Sequence, residues 1–375
     1  MQSPSWLPDL NERFELSKIQ CFSPPGRRSE VDPITGRIVA IVPARQGRHS
    51  EHRNDVMAVL NTERSQCLFC RYATPSTLLM IDQDGSVNVP RERDSIKAAS
   101  RFLEGPDHLQ IQTFYDLVNT LAVFNAPSER YVARVFRNLT PSLDLALREW
   151  CTVTALNPSY HEYEFHDLPT PAMDALVKAW QVQEELARAQ SLSFIGFLNG
   201  GKRRESGQSV ACCHGQSYAV KNVPGLYSHI QSRRESVYGG RCPICTDLLT
   251  PSAIKEYGVW CPTSSDFVLL AHPAPLHNWS MLIVPRDHVE NISEVNASQF
   301  SAMIQAAIRA LRGQFGVEPA FNIVVRSGGA IGHMHAEIVP RTNVNILAGW
   351  EIAGHEVVIT IDPRSVPLEL SMRIP

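Results

Sequence analysis

The stretch SGQSVACCHGQ, residues 206–216, places two adjacent cysteines before a histidine and a glutamine. The apolar run SFIGFLNGG precedes it and SYAV follows it, so both flanks have the pattern of a strand. Successive strand residues alternate between faces, and Cys212, His214 and Gln216 therefore share one face. The pattern predicts a strand anchored to metal through Cys212, which aims His214 rigidly at a substrate.

Two Cys-x-x-Cys pairs, CLFC at 67–70 and CPIC at 242–245, indicate metal ligation or redox chemistry in a reducing compartment. Two thiolates with this spacing reach one ion, and distant imidazoles complete a tetrahedral zinc site. An isolated histidine is more often a satisfied core or surface residue, so the downstream residues remain candidates only. They are His161, His166 and Cys212 for the first pair, and His288, His333 and His335 for the second.

The same series of motifs and predicted elements occurs twice along the chain. Each half runs Cys-x-x-Cys, strands, a long helix, a strand, a glycine-rich turn and a histidine-bearing strand, which is an internal repeat in order rather than in letters. The spacing of apolar residues predicts a helix over 171–190 and another over 108–124. Residues 221–241, rich in glycine and basic residues, are predicted to connect the halves.

The helix of the second half has recognisable ends in the sequence. Asn296, followed three residues later by Gln299, predicts a capping box at its start, and Gly313 or Gly316 predicts its stop.

Composition excludes several classes of protein. The chain has 375 residues, of which 19% are charged and 43% hydrophobic, with a net charge of −3 and a pI near 6.5. This balance disfavours nucleic-acid binding, which needs basic surface. No apolar run has the length of a membrane span or a signal peptide, so we expect a cytoplasmic protein with no membrane partner.

The residue types around residue 214 favour phosphoryl chemistry. Imidazole attacks phosphorus at neutral pH, which makes His214 the candidate nucleophile, and the amide of Gln216 is placed to donate to phosphoryl oxygens. Further donors and two cations would hold phosphate charge. They are Asn199, Gly207 and Ser209 for the transferred group, and Arg45 and Arg48 for a second phosphate.

Several motifs in a fixed order resemble the galactose-1-phosphate uridylyltransferase-like family of the histidine-triad superfamily, which includes sugar-nucleotide phosphorylases. They are DPITGRIVAIVPARQGR, CLFC, RVFRNLTPSL, YHEYEFHD, FLNGGKRRESGQSVACCHGQ, CPIC, LIVPRDHV, HMHAEIVPR and LAGWE. The resemblance covers nearly the whole chain. In the family a His-Pro-His-x-Gln segment carries a metal ligand and a nucleophile, and here it is Cys212-Cys213-His214-Gly215-Gln216.

The resemblance implies roles for particular residues. One zinc would be held by Cys67, Cys70, His166 and Cys212, with His161 as the substitute for His166, and a second zinc, or iron, by Cys242, Cys245, His288 and His335. Asn138 would face the ribose, Asn199, Gly207, Ser209 and Gln216 would surround the transferred phosphoryl group, Arg45 and Arg48 would contact the other phosphate, and Glu351 would contact the sugar. The family also implies a homodimer.

The expected fold is α+β, with histidine-triad-like halves over residues 1–225 and 226–375, each a mainly antiparallel sheet with helices. The expected reaction moves a nucleoside monophosphate from a nucleoside-diphosphate sugar, through a covalent nucleotidyl-histidine, to a hexose 1-phosphate or to inorganic phosphate. Hydrolysis is a less favoured alternative. A zinc-stabilised binding module and an inactive relative are the alternatives of another class.

Overall fold

Antiparallel strands and the helices that cover them account for most of the described chain. The computed structural model describes residues 28–41, 63–64, 67–71, 77–88, 131–138, 149–201, 204–208, 210–221, 225–342 and 357–374. The strands are β1 Arg28–Val31, β2 Ile38–Ile41, β3 Thr77–Asp82, β4 Val87–Asn88, β5 Tyr131–Arg137, β6 Trp150–Leu156, β7 Ser193–Gly200, β8 His214–Val220, β9 Gly258–Trp260, β10 Phe267–Ala271, β11 Met281–Pro285, β12 Phe321–Arg326, β13 His335–Pro340 and β14 Val357–Ile359.

The helices include the two that the sequence predicts within the described residues. They are α1 Leu68–Arg71, α2 Thr170–Ala189, α3 Gly225–Tyr238, α4 Pro251–Tyr257, α5 Ala297–Phe315 and α6 Val366–Ser371, with 3-10 turns at Pro158–Tyr160, Arg204–Ser206 and Ile292–Glu294 and a π-helical turn at Ile244–Leu248. The predicted helices over 171–190 and at Asn296 are confirmed as α2 and α5. The predicted helix over 108–124 lies outside the described residues.

One sheet runs through both halves in the order β4-β3-β5-β6-β8-β7-β12-β13-β11-β10-β9. Its two parts have the same connectivity: β3, β5 and β6 lead through α2 into β7 and β8, as β9, β10 and β11 lead through α5 into β12 and β13. In the first part β8 lies between β6 and β7, and in the second part β13 lies between β11 and β12. The internal repeat and the α+β class are therefore confirmed.

The halves meet at a central seam, formed by β7 and β12. These strands are antiparallel, with Asn199 opposite Asn322 and Gly200 opposite Phe321. Side chains on one face, among them Leu198 and Ile323, pack into the core beneath α2 and α5. Because strand residues alternate, Asn199 and Asn322 face the other side of the sheet.

Helix α5 begins and ends near the residues that the sequence predicts. The Asn296 side chain accepts a hydrogen bond from the Gln299 N–H at 3.1 Å, and Gly316, with φ of 74°, adopts the left-handed conformation that ends the helix. The Gln299 side chain accepts instead from the Asp266 N–H at 2.7 Å. Only one half of the predicted capping box is therefore formed within the helix.

Residues 221–241 contain helix α3, which the sequence prediction of a connection missed. Their glycines flank the helix: Gly225 is its first residue, and Gly239 and Gly240 follow it with positive φ. Tyr227 and Ile230 of the helix pack with Ile34 of the β1–β2 hairpin against the second half of the sheet. The predicted boundary at 225/226 thus falls at the first residue of a packed helix.

Candidate active site and metal centres

Cys67, Cys70, His161 and Cys212 converge into a compact cluster. The Cys212 Sγ lies 3.3 Å from the Cys67 Sγ, 3.2 Å from the Cys70 Sγ and 2.9 Å from the His161 Nδ1. The Cys70 Sγ also lies 3.3 Å from the His161 Nδ1. Three sulfurs and one imidazole nitrogen at such separations are a donor set that fits a structural zinc ion.

The histidine in this cluster is His161 and not His166, which the resemblance put first. A 3-10 turn over Pro158–Tyr160, capped by the Asn157 side chain, ends directly before His161 and directs it towards the thiols. His166 lies five positions further along the chain, and its Nδ1 contacts Glu318 at 2.5 Å. The alternative kept open in the sequence analysis is the one that the geometry supports.

The three thiols cannot all ionise without compensating positive charge. Hydrogen bonding to Cys67 and Cys70, with burial, raises the pKa of the Cys212 thiol far above its ordinary value. A bound divalent cation removes this penalty and replaces the thiol protons. A buried guanidinium, Arg134, lies close by and donates from Nη2 to the Phe69 carbonyl at 2.7 Å, inside the Cys-x-x-Cys turn.

Arg134 is a site residue that sequence reasoning missed. The sequence clue is an arginine within the apolar strand RYVARVFRN, where a buried charge requires a partner. The structure shows that Arg134 is buried. Burial lowers the pKa of Arg134, and the attraction of Tyr131 and the sulfurs of the cluster opposes that effect. The guanidinium therefore adds positive charge beside the thiols and supports the main chain that carries two of them.

His214 is the first residue of β8 and is 2% exposed. Its Nδ1 lies 2.7 Å from the Cys212 carbonyl, which fixes Nδ1 as the protonated nitrogen and leaves Nε2 with the lone pair. The Phe69 ring packs edge-on against the imidazole at 5.0 Å. Burial lowers the pKa of His214 and so favours the neutral imidazole, whose Nε2 lone pair needs no further deprotonation.

Neutral amides accompany His214 on this face of the sheet. Gln216 lies two residues along β8, and the register of β7 with β8, continued one position beyond the Leu198–Gly215 pair, places Asn199 opposite His214. Gly207, with φ of 81°, lies in the turn that follows Arg204–Ser206 and approaches the Asn199 side chain. The structure therefore brings Asn199, Gly207 and Gln216 to the neighbourhood of the imidazole.

The remaining predicted residues divide into two groups. Asn138 continues β5, where its N–H donates to the Cys151 carbonyl at 2.8 Å, and Cys151 pairs with Tyr218 of β8. It is thus displaced along the sheet from His214. Arg45, Arg48, Ser209 and Glu351 lie outside the described residues.

A second cluster contains Cys242, Cys245, His288 and His333. The His333 Nδ1 lies 3.4 Å from the Cys242 Sγ and 3.3 Å from the Cys245 Sγ, and the His288 Nδ1 lies 3.4 Å from the Cys245 Sγ. Two sulfurs and two imidazoles again fit zinc. The second histidine is His333 and not the predicted His335, because the ligand precedes the strand by two residues and His335 begins it.

His335 occupies the position in the second half that His214 has in the first. Its Nδ1 lies 2.9 Å from the carbonyl of His333, as the His214 Nδ1 lies beside the carbonyl of Cys212. The strand registers extend the equivalence. Arg326, opposite His335, matches Asn199, and Glu337 matches Gln216.

The two equivalent sites differ in charge. Arg326 Nη2 and Glu337 Oε2 form an ion pair at 2.7 Å, and although burial opposes ionisation, Arg326 holds the pKa of Glu337 at about 2. Burial also lowers the pKa of His335 to about 4. Around His335, the charged side chains of Arg326 and Glu337 pair with each other. Around His214, the equivalent positions carry the neutral amides of Asn199 and Gln216.

The fold is that of the galactose-1-phosphate uridylyltransferase-like proteins, which confirms the resemblance stated from the sequence. The chain is 21% identical over 366 residues to ADP-glucose phosphorylase of Arabidopsis thaliana, covering 89% of this chain and 90% of the relative. The crystal structure of an Arabidopsis thaliana ADP-glucose phosphorylase with bound ADP-glucose matches with a TM-score of 0.65 and 18% identity, over 92% of this chain and 98% of that one.

Two further solved structures share the architecture. A GalT-like protein from Arabidopsis thaliana matches with a TM-score of 0.62 and 18% identity, over 92% of this chain and 98% of that chain. A uridylyltransferase matches with a TM-score of 0.57 and 17% identity, over 64% of this chain and 86% of that chain. No protein-family model matches the chain. Within the described ranges, every helix is too short or too polar to cross a membrane.

Proposed function

We propose that this protein is a nucleotidyltransferase that acts on nucleoside-diphosphate sugars through a covalent nucleotidyl-histidine. The observation that carries the proposal is the neutral, buried His214, whose Nδ1 is held by the Cys212 carbonyl and whose Nε2 is free of that bond. An imidazole fixed in this tautomer needs no separate base to attack phosphorus.

The reaction has two steps. His214 Nε2 attacks the α-phosphorus of the donor, a bond forms between nitrogen and phosphorus, and the sugar 1-phosphate leaves with the electron pair of the broken P–O bond. A phosphate oxygen of the acceptor then attacks the same phosphorus and returns the electron pair to Nε2. Gln216 and Asn199 donate hydrogen bonds where the transferred phosphoryl group carries negative charge. Arg45, Arg48, Ser209, Asn138 and Glu351 complete the proposed substrate contacts.

Inorganic phosphate is the acceptor that we favour. The curated relative that matches most of this chain is a phosphorylase, whereas the uridylyltransferase covers a smaller share. With an adenylyl donor, attack by phosphate on the intermediate would release ADP. Transfer to a hexose 1-phosphate, which regenerates a nucleotide sugar, is the second candidate.

The metal sites have a supporting role in this proposal. Zinc bound to Cys67, Cys70, His161 and Cys212 would neutralise the thiolates and fix the main chain at Cys212. The Cys212 carbonyl then holds the tautomer and direction of the His214 ring. The second cluster, with its two thiolates and two imidazoles, fits zinc better than iron and would fix the main chain before β13.

Intact-protein mass spectrometry tests the covalent step. The purified protein is mixed separately with ADP-glucose, UDP-glucose and GDP-mannose, beside His214→Ala and the matched variant His335→Gln. We expect an acid-labile nucleoside monophosphate adduct on the wild type and on His335→Gln, and none on His214→Ala. If all three proteins stay unmodified while folded and metal-loaded, the binding-module and inactive-relative alternatives replace this proposal.

The acceptor is identified with the isolated adduct. Incubation with inorganic phosphate should release a nucleoside diphosphate and restore the unmodified mass. Galactose 1-phosphate should leave an adduct made from ADP-glucose unchanged, whereas glucose 1-phosphate, the leaving group of the first step, should re-form the donor. Discharge by galactose 1-phosphate and not by inorganic phosphate would make the protein a transferase. Discharge at the same rate in buffer alone would make it a hydrolase.

We further propose a homodimer in the cytoplasm. The dimer rests on the family resemblance, and a light-scattering mass of two chains would support it. The cysteines of the described residues are free, and most of them belong to the two clusters, which suits a reducing compartment.

A further inference from the structure

A third group of potential ligands lies apart from the two cysteine clusters and outside the proposed reaction. It contains Glu164, His166 and Glu318. The His166 Nδ1 lies 2.5 Å from the Glu318 Oε2 and 3.4 Å from the Glu164 Oε2. On the other side of the ring, the His166 Nε2 lies 3.0 Å from the Asp167 Oδ2. Three carboxylates thus surround one imidazole.

The Glu318 carboxylate is deeply buried and incompletely satisfied. The residue is 5% exposed, and among the described residues no hydrogen-bond donor reaches its Oε1. A buried carboxylate oxygen without a partner is strongly unfavourable unless a cation or donor meets it. The unpartnered oxygen therefore indicates that positive charge belongs at this position.

The nearby side chains do not supply that charge. Within the part of the chain that the structure describes, His166 is the ion-pair partner of Glu318. Arg309 of α5 is near, but its Nε donates to the His166 carbonyl at 3.0 Å. A protonated His166 would bring a single positive charge to three carboxylates, and its two N–H groups would still leave the Glu318 Oε1 unsatisfied.

The arrangement of the imidazole matches that of a metal ligand. In protein metal sites, a ligating histidine usually turns one nitrogen to the ion and donates its other N–H to a carboxylate. His166 directs Nδ1 towards Glu164 and Glu318, and its Nε2 is placed to donate to Asp167. Ligands of a tetrahedral zinc ion lie about 3.3–3.6 Å apart, given metal–ligand bonds of about 2.0–2.2 Å. The distance of 3.4 Å between the His166 Nδ1 and the Glu164 Oε2 falls within this range, and a rotation of the Glu318 side chain would lengthen the shorter contact.

We propose that Glu164, His166 and Glu318 bind a divalent transition-metal ion, with zinc as the first candidate. One imidazole nitrogen with carboxylate oxygens suits zinc or manganese and differs in donor chemistry from both cysteine clusters. His166 precedes α2 in the first half, and Glu318 follows α5 and precedes β12 in the second. The ion would therefore clamp the two halves together beside the central seam.

Metal content and stability measure this site independently of activity. Full-length protein is equilibrated with zinc, freed of loosely bound metal by gel filtration and analysed by inductively coupled plasma mass spectrometry. We expect three zinc ions per chain in the wild type and in the control Glu185→Gln, an exposed carboxylate on α2, and two in His166→Gln and Glu318→Gln. After a brief chelator treatment that leaves two zinc ions per chain, added zinc should raise the Tm of the wild type and leave the Tm of Glu318→Gln unchanged.

Cobalt distinguishes the third site from the cysteine clusters. When both proteins are loaded with cobalt, Glu318→Gln should bind one ion fewer than the wild type. Its thiolate charge-transfer band, which arises from the cysteine clusters, should keep the same intensity. Because Glu318→Gln removes a buried group, Glu164→Gln at the rim of the cluster repeats the test if that variant does not fold. Equal metal content in the wild type and the variants, with no response of Tm to zinc or manganese, would overturn the proposal and leave a histidine–carboxylate ion pair.

Discussion

Asn322 of the second half and Asn199 of the first half lie directly opposite each other on the central strands, with their side-chain amides 2.7 Å apart. The Asn322 Nδ2 also donates to the Ser206 carbonyl at 2.7 Å, in the turn that leads to the His214 strand. One residue of the second half thus holds both the Asn199 amide and the turn that carries Gly207. The proposed active site depends on both halves.

Asn322→Ala should reduce kcat/KM about tenfold. The substitution removes hydrogen bonds worth about 1–1.5 kcal/mol and frees the Asn199 amide and the 204–208 turn, while His214 keeps its bond to the Cys212 carbonyl. Adduct formation from the preferred donor, followed by rapid quench, measures the effect. Gln231→Ala on the exposed surface of α3 is the control, and equal rates for both variants would show that Asn322 does not position the site.

Cys212→His should preserve the first metal site, and Cys212→Ala should abolish it. An imidazole can replace a thiolate in a tetrahedral zinc shell, whereas alanine leaves two thiolates and one histidine. We expect Cys212→Ala to lose one metal ion per chain and most of its adduct formation, because the His214 ring loses its fixed support. Zinc analysis with the mass-spectrometric assay checks both. A fully active, metal-depleted variant would separate the cluster from the chemistry.

The sequence was sufficient for the repeat and for the cysteines of both clusters, since Cys-x-x-Cys spacing and strand periodicity are local properties. It was insufficient for the choice between neighbouring histidines. His161 and His166 are both near in sequence, and the 3-10 turn over Pro158–Tyr160 decides which one reaches the thiols. His333 and His335 are likewise separated by the position at which β13 begins.

Long-range packing explains the other omissions. The glycines that made 221–241 resemble a connection flank α3, whose few buried residues give it only a weak apolar pattern. Arg134 has its partners far along the chain, at Phe69 and the sulfurs. Asn322 became a candidate only when the register of β7 with β12 placed it opposite Asn199.

Glu337 should make stability depend on pH in a defined window. Its pKa is about 2 in the folded protein, against 4.5 ordinarily, because Arg326 outweighs the effect of burial. A depressed carboxyl pKa stabilises the fold fully above pH 4.5, and the contribution, on the order of 3 kcal/mol, is lost as the pH falls towards 2.

Urea unfolding of the wild type and Glu337→Gln at several pH values between 7 and 3 isolates this contribution. The difference in free energy of unfolding between the two proteins should be largest at pH 7 and should shrink steadily below pH 4.5. Loss of metal in acid affects both proteins equally and cancels in the difference. A difference that does not change with pH would mean that the pKa of Glu337 is the same in the folded and unfolded states.

Gly200→Ala should destabilise the central seam by about 1–3 kcal/mol. A Cβ at this position would lie 2.1 Å from the ring of Phe321, which is fully buried and lies opposite it in the register. Gly225→Ala, at the first residue of α3, meets no described atom within 4 Å and is the matched control. Thermal unfolding should show a lower Tm for the first variant and an unchanged or slightly higher one for the second.

The ion pair between Arg326 and Glu337 has a consequence for stoichiometry. In the second half it occupies the places that Asn199 and Gln216 hold around His214, so a charged pair flanks His335 where neutral amides flank His214. Under the proposed reaction, a pre-steady-state burst would release one sugar phosphate per chain and never two. In this proposal the second half contributes structural support to the site around His214 and no second catalytic site. Mutations that alter donor preference are then expected around His214 and not around His335.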